Sequence, residues 1–396
     1  MTFFHVSDTH LGRRPIGGLG GFSDKRFDDY FISFEKIIDE IIISDAKAVI
    51  ISGDFFDKKE ITPDVLEKSE KLLTRFKENN IDVVMIEGNH DNFWNNENSW
   101  IIYLEKKGLI KRPYFFREAD GSYSFSPVVI DDVYFYGVGY QGSLINEVIT
   151  SLAEILDPSK KNVVLAHTAI AENSYLPGTI KKETIDLLKN KIIYAAGGHF
   201  HSFNKYPSEE PFFFIPGSPE YWDFFENDNK GFIEFNTDNR EWKFRKSYKR
   251  NKVMCKMNYT GTSENDFKEV FEKFIMDIVV CENEDVLIIE IANPNGVYIN
   301  TDWCSAAVEN KKPLKTYISV KTFFNKIDNN SIAEMPIETL ERELISRWEI
   351  FRNHQESVMN HFSTLKTSQR ENNPELFKQT FDKMLCDVIN GDADDN

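Results

Sequence analysis

Through about residue 236, short β-branched and aromatic runs alternate with longer stretches whose apolar positions recur every three or four residues. A period of two marks a strand with one buried face and a period of 3.6 an amphipathic helix, so the alternation predicts α and β elements layered around a sheet. Strands are expected over residues 3–7, 48–52, 83–87, 162–166 and 193–197, and helices over 30–44 and 64–79. Thr62 followed by Pro63 supplies an N-cap and a first helical residue for the second helix. The run SYSFSPVVIDDVYFYGVGY has the pattern of a hairpin turning at Asp131 and Asp132. Strands over 211–215, 230–235 and 242–247 close this first domain. From 251 to 325, a helix at 264–276 and strand-like runs at 286–291 and 315–320 form a small α+β module without a histidine. After a polar loop at 326–330, Ile337, Leu340, Leu344, Trp348, Phe351, Val358, Phe362 and Leu365 recur at helical spacing. A last helix runs from Pro374 along Phe377, Phe381, Met384 and Val388, with Asn373 as its cap.

The five strands predicted first each end in a polar motif: SDTH, GDFFD, GNHD, AHT and GGHFH in turn. Loops leaving the carboxyl ends of strands converge on one edge of an open α/β sheet, so the five motifs should meet. Asp8 and His10 sit close enough in the chain to address one cation, and Asp54, beside a glycine that lets the backbone turn sharply, is placed to bridge two. Asn89 offers a neutral oxygen, and His167, His199 and His201 complete the donors. Two divalent ions about 3.5–4 Å apart can activate water and neutralise a phosphoryl group. Imidazole with carboxylate favours Mn, Fe or Zn over Mg. His90 is placed to donate a proton to a leaving oxygen, with Asp91 orienting its ring. His5 belongs to a strand interior and is expected to be structural, and His354 and His361 to serve surface or packing roles.

Net charge narrows the partners. At −17, the chain is not coated with the cations that give general affinity for nucleic acid, so a polyanion must meet a local patch. Residues 240–252, REWKFRKSYKRNK, hold seven basic residues and one acid. Arg13, Arg14, Lys58 and Lys59 flank the first two motifs and are candidate phosphate contacts. Cys255, Cys281, Cys304 and Cys386 form no C-x-x-C pair, which suits a reducing compartment. No apolar run reaches the ~18–20 residues of a membrane span, and a cytoplasmic location, at the nucleoid in a prokaryote, is expected. The apolar stripe of the C-terminal helices calls for a partner or for packing on its own chain. Leu66, Leu72, Leu73 and the apolar face of 98–107 suit either a homodimer contact or an ordinary core.

FFHVSDTHLG, ISGDFFD, VVMIEGNHD, VVLAHT, GGHFHS and FIPGSPEYWDF, in that order, resemble the calcineurin-like metallophosphoesterases, and within them the SbcD or Mre-eleven type DNA repair nucleases. The first four motifs are shared widely in the superfamily; Thr9-His10-Leu11-Gly12 and Pro216-Gly217-Ser218-Pro219-Glu220 tilt the resemblance toward the nucleases. It implies a four-layer sandwich, two mixed β-sheets flanked by helices, over 1–240, a DNA-capping domain over 251–325, and helices over 331–390 that bind the coiled coil of a Rad-fifty or SbcC type ATPase. It also implies two Mn²⁺ held by Asp8, His10, Asp54, Asn89, His167, His199 and His201, with His90 as proton donor. The implied activity is 3′–5′ double-strand exonuclease and single-strand endonuclease cleavage at DNA ends, by a homodimer within a heterotetramer. A general phosphoesterase acting on nucleotide or phosphoprotein, or a scaffold tethering DNA ends, stands as the alternative. Asp57 occupies the place where many archaeal relatives carry a second histidine, which puts any contribution of such a histidine in doubt.

Overall fold

The computed structural model describes residues 1–15, 21–91, 99–171, 176–277, 284–321, 355–370 and 373–391. Two sheets organise the larger part of the chain. The first runs in the order Trp242–Lys246, Gly231–Asn236, Thr2–Val6, Ala48–Ser52, Asp82–Ile86. Its last three strands are parallel, and the first two join antiparallel. The second sheet runs Asn204–Tyr206, Phe213–Ile215, Tyr194–Ala196, Lys161–Ala166, Val133–Val138, Val128–Ile130, with a parallel centre and antiparallel edges.

The strands bury both faces, which is why they appear in the sequence as nearly continuous apolar runs. Phe3, Ile50, Val84, Phe135, Leu165, Tyr194, Phe214 and Phe235 fill the space between the sheets. The outer face of the first sheet packs on helices Gly21–Ile42, Pro63–Glu78 and Trp100–Lys106. The outer face of the second packs on helix Ile145–Ile155 and the short helix Lys182–Asp186. The order of layers is therefore helix, sheet, sheet, helix, as the sequence pattern and the resemblance together implied. Leu72 and Leu73 lie buried in the first of these cores with Leu66 packed against it, which assigns them to the fold's interior.

Helix Gly21–Ile42 begins nine residues before the expected start. Phe27, Tyr30, Phe31 and Phe34 continue one buried stripe, but the buried charged pair Arg26 and Asp29 interrupts its apolar pattern and disguises it. Thr62 occupies the expected N-cap, yet its hydroxyl donates to Asp64 and makes no cap bond to the helix backbone. The hairpin does turn at Asp131, which takes a φ of 53°, whereas Pro127 separates strand Tyr123–Ser126 into a small sheet with Tyr114–Arg117.

A three-stranded sheet follows, in the order Lys252–Asn258, Val286–Ala292, Lys315–Lys321, with helices Glu264–Asp277 and Thr301–Ala307. The chain divides into two compact units: Met1–Cys255 with Glu272–Ile289 and Asn300–Ser319, and Lys256–Phe271 with Glu290–Ile299 and Val320–Asn396. Within the second unit, Lys256 and Lys321 both pair with Glu290, and the Tyr259 hydroxyl donates to Asp266. Helices Gln355–Arg370 and Pro374–Gly391 pack on each other there, with Val358 buried and Asn373 accepting the Leu376 amide at 3.1 Å. The predicted helical positions from Ile337 to Phe351, the loop at 326–330 and His354 lie outside the described residues, as does residue 98.

Candidate metal centre

The loops leaving Thr2–Val6, Ala48–Ser52 and Asp82–Ile86 on one sheet, and Lys161–Ala166 and Tyr194–Ala196 on the other, meet at a common edge. Asp8 N–H donates to the Gly53 carbonyl at 3.1 Å and His10 N–H to that of Asp54 at 3.0 Å, so the first two motifs are zipped together. The approach is too close for side chains. A Cβ on Gly53 would lie 2.3 Å from His167 Nδ1, and one on Gly88 would lie 2.0 Å from Asp54 Oδ1.

All seven expected donors converge. Asp54 Oδ2 lies 3.9 Å from His10 Nε2 and 3.4 Å from His167 Nε2, between the two halves of the site. On one side, His10 Nε2 faces His201 Nε2 at 3.2 Å, and Asp8 joins them within 4.8 Å. On the other, Asn89 Oδ1 lies 3.1 Å from His167 Nε2 and 2.9 Å from His199 Nδ1.

Tautomers show what these groups need. His167 Nδ1 donates to the Ser52 carbonyl, an obligate acceptor, which turns Nε2 toward Asp54 and Asn89. His201 Nδ1 lies 3.2 Å from the Glu226 carboxylate, which likewise turns the Nε2 lone pair toward His10. His199 hydrogen bonds the Pro177 backbone, leaving Nδ1 as the acceptor aimed at Asn89. On one side of Asp54 an acceptor therefore faces an acceptor, His199 Nδ1 against Asn89 Oδ1 at 2.9 Å, an arrangement that a cation relieves; on the other, the His201 Nε2 lone pair points at His10 Nε2. Among the described residues, Asp8 Oδ2 and His10 Nδ1 are buried without a hydrogen-bond partner. The donor set fits two divalent ions.

Charge is distributed accordingly. Burial alone would favour a neutral Asp54, but His167, His10 and His90 hold its carboxyl well below the usual range. Burial likewise opposes a charged His167, but Asp54 beside it carries the pKa up to about 9. His199, buried and facing His167, is pushed down to about 4.

Residues 1–203 match the calcineurin-like phosphoesterase family model. The chain belongs to that family. Curated relatives include the DNA double-strand break repair protein Mre11 of Sulfolobus acidocaldarius, 31% identical over 228 residues, 56% of this chain and 55% of that protein. Those of Sulfurisphaera tokodaii and Methanococcus maripaludis are 30% and 29% identical, over 50% and 51% of this chain and 48% and 52% of theirs. The chain thus spans about half the length of the curated relatives it matches. A dimetal phosphatase from Danio rerio aligns with 59% of this chain and 91% of its own, at a TM-score of 0.36 and 11% identity, a likeness too distant to carry an argument.

Around this family's metal edge, other residues fall differently from expectation. His90 N–H donates to Asp54 Oδ1 at 2.8 Å, and its ring stands 4.9 Å from that of His10. The group that holds the His90 ring is the Asp57 carbonyl, at 2.6 Å from Nδ1. Asp91 does not orient it: its carboxylate accepts the amides of Phe55, Phe56 and Gly88 at 2.8–3.1 Å and knots two motif loops together. Arg13 stacks 3.1 Å over the Trp222 ring and pairs with Asp57, and Arg14 pairs with Asp24. Lys58 is exposed and Lys59 half-buried. In the basic connector, Arg245 pairs with Glu234, Arg250 with the buried Asp29, and Lys249 and Lys252 with the exposed Asp228, so these four cations have acidic partners within the chain.

Two residues escaped sequence reasoning. Trp222 lies against His10, His201 and His90 with ring centroids 4.4, 5.1 and 5.3 Å away. Glu226 stands behind His201 and is held down to about 2: burial opposes this, but the hydrogen bond from His201 and the Lys230 charge prevail. The segment YWDFFENDNK has no ligand spacing to flag them; its one signal is its place just after the PGSPE closure.

Proposed function

We propose that the chain is a two-metal phosphodiesterase that cleaves DNA ends, with Asp8, His10, His201 and Asp54 holding one ion and Asp54, Asn89, His167 and His199 the other. The observation that carries this reading is the convergence of the other six donors on either side of Asp54 Oδ2, with the His199 Nδ1 acceptor set against that of Asn89. When bound, a metal pair supplies an activated water and neutralises charge on the phosphoryl oxygens. The chain's own residues do the rest. Glycines at 53 and 88 let the ligand loops close up, and Asp91 fixes those loops through backbone amides. His90, with Nδ1–H held by the Asp57 carbonyl, is left with Nε2 to carry a proton to the leaving oxygen.

DNA as substrate is supported by the likeness to relatives named as DNA double-strand break repair proteins and by the PGSPE closure. We carry with it manganese as the working ion, 3′–5′ exonuclease and single-strand endonuclease action, a capping module over 251–325, and an ATPase partner on helices over 331–390 in a homodimer-based assembly. The test is turnover of 3′- and 5′-labelled duplex in Mn²⁺, Mg²⁺ and chelator, alone and with the candidate ATPase and ATP, beside a phosphopeptide and a nucleotide. Mn²⁺-dependent cleavage of DNA is expected. Turnover of phosphopeptide or nucleotide with inert DNA would assign the general phosphoesterase reading, and no metal-dependent turnover in any arm would overturn the enzyme.

A further inference from the structure

Lys230 is a fully buried lysine that the proposed chemistry does not use. Its ammonium meets Glu226 Oε2 at 2.6 Å, the His201 carbonyl at 2.7 Å and Ser218 Oγ at 3.0 Å, so all three of its donors are taken by the segments around His201. A buried ammonium is tolerated when it is paired and fully hydrogen-bonded, and Lys230 is both. What the pair does is visible on the other side of the carboxylate. Glu226 Oε1 lies 3.2 Å from His201 Nδ1, while Oε2 also accepts the Trp222 amide at 3.1 Å. One carboxylate therefore fixes the proton of His201 on Nδ1, turns its Nε2 toward His10 Nε2 at 3.2 Å, and seats the Trp222 ring against both imidazoles. Glu226 is not placed as a ligand, because it stands at the ring nitrogen that faces away from His10.

Resting on the two-metal reading, we propose that Glu226, clamped by Lys230, is a positioning residue that sets the affinity of the ion held by Asp8, His10 and His201. A carboxylate behind a ligating imidazole fixes its tautomer and raises its basicity, and its loss typically weakens metal binding ~10–100-fold. Asn89, His167 and His199 make no such contact with Glu226 in the hydrogen bonds described, so the effect belongs to one ion of the two.

The test is calorimetric titration of the full chain with Mn²⁺, with metal analysis after dialysis, for the parent and for Glu226→Gln and Glu226→Asp. A Glu226→Gln, Lys230→Met pair removes both buried charges together and covers the case in which the single variant fails to fold. Chelator-treated melts report the fold, and nitrogen shifts of ¹⁵N-labelled histidine report the His201 tautomer. Expected are a lower apo melt in Glu226→Gln, which leaves Lys230 without its counterion, an apo melt close to the parent in the pair, one ion weakened ~10–100-fold in both, partial recovery in Glu226→Asp, and loss of the single Nδ1–H form of His201. Parental affinity for both ions in the variants would overturn the inference, as would equal weakening of both ions together with a lower apo melt. A parent that binds no Mn²⁺ would instead sink the two-metal reading on which the inference stands.

Discussion

Asp8, His10, Asp54 and His199 have φ values of 52°, 45°, 50° and 73°, in the left-handed region that residues with a side chain seldom enter. Such strain persists where the surroundings over-determine it, and it collects at functional sites. Here the determinants include the amide bonds to Gly53, Asp54 and Asp8, and the three amides gathered by Asp91. His90 and its neighbour Asp91 should consequently part company on mutation. His90→Ala removes a proton donor and should lower turnover ~10²–10⁴-fold while bound Mn²⁺ per chain is unchanged; loss of metal would reassign it as a ligand. Asp91→Ala orphans three amide donors and should destabilise the apo fold by at least about 3 kcal/mol, seen as a lower melt in chelator. The histidines were legible because imidazoles in ordered motifs at strand ends have few other uses. Asp91 was misread because sequence shows its neighbour His90 and hides Phe55 and Phe56, which reach it through the fold. Trp222 and Glu226 were invisible for the same reason.

Between elements, the layers were legible in outline because strand periodicity and strand-end motifs agree, whereas the start of helix Gly21–Ile42 was masked by an ion pair the pattern cannot distinguish from surface charge. One polar chain crosses from sheet to sheet and shows what else the pattern omits. The Tyr194 hydroxyl meets His5 Nδ1 at 2.9 Å, His5 Nε2 meets Ser52 Oγ at 2.8 Å, and Ser52 donates to the Gly197 carbonyl at 2.7 Å. Because Ser52 gives its proton to a carbonyl, His5 Nε2 is the donor and Nδ1 accepts from tyrosine, a neutral ring with both nitrogens satisfied. Burial pushes the His5 pKa from 6.5 down to about 3. Between these values the unfolded chain takes up a proton that the folded chain refuses. The contribution of His5 is thus intact above pH 6.5 and is lost as the pH falls toward 3. His5→Gln retains a donor and an acceptor but does not titrate. Denaturant melts from pH 7 to pH 4 should show a shallower loss of stability in this variant than in the parent, and identical slopes would remove His5 from the acid response.

Across the whole molecule, a net charge of −17 makes the destination of each cation matter. The stretch 240–252 was the strongest basic signal in the chain, yet the partners of Arg250 are Asp29, buried at 2% exposure, and the Glu284 carbonyl, while its own amide donates to Glu220. Lys252 donates to the carbonyls of Phe224 and Glu226, holding the segment that carries Glu226. These cations stabilise the fold that presents the metal edge. A cation that touches a phosphate contributes about one unit to the slope of log affinity against log salt. Arg250→Met, measured on duplex DNA in chelator over a range of salt, should therefore leave that slope unchanged. Its thermal or denaturant melt should show a loss of about 1–3 kcal/mol, because Asp29 is left with fewer donors. A slope reduced by about one with stability intact would place Arg250 on the phosphate backbone and reverse the assignment.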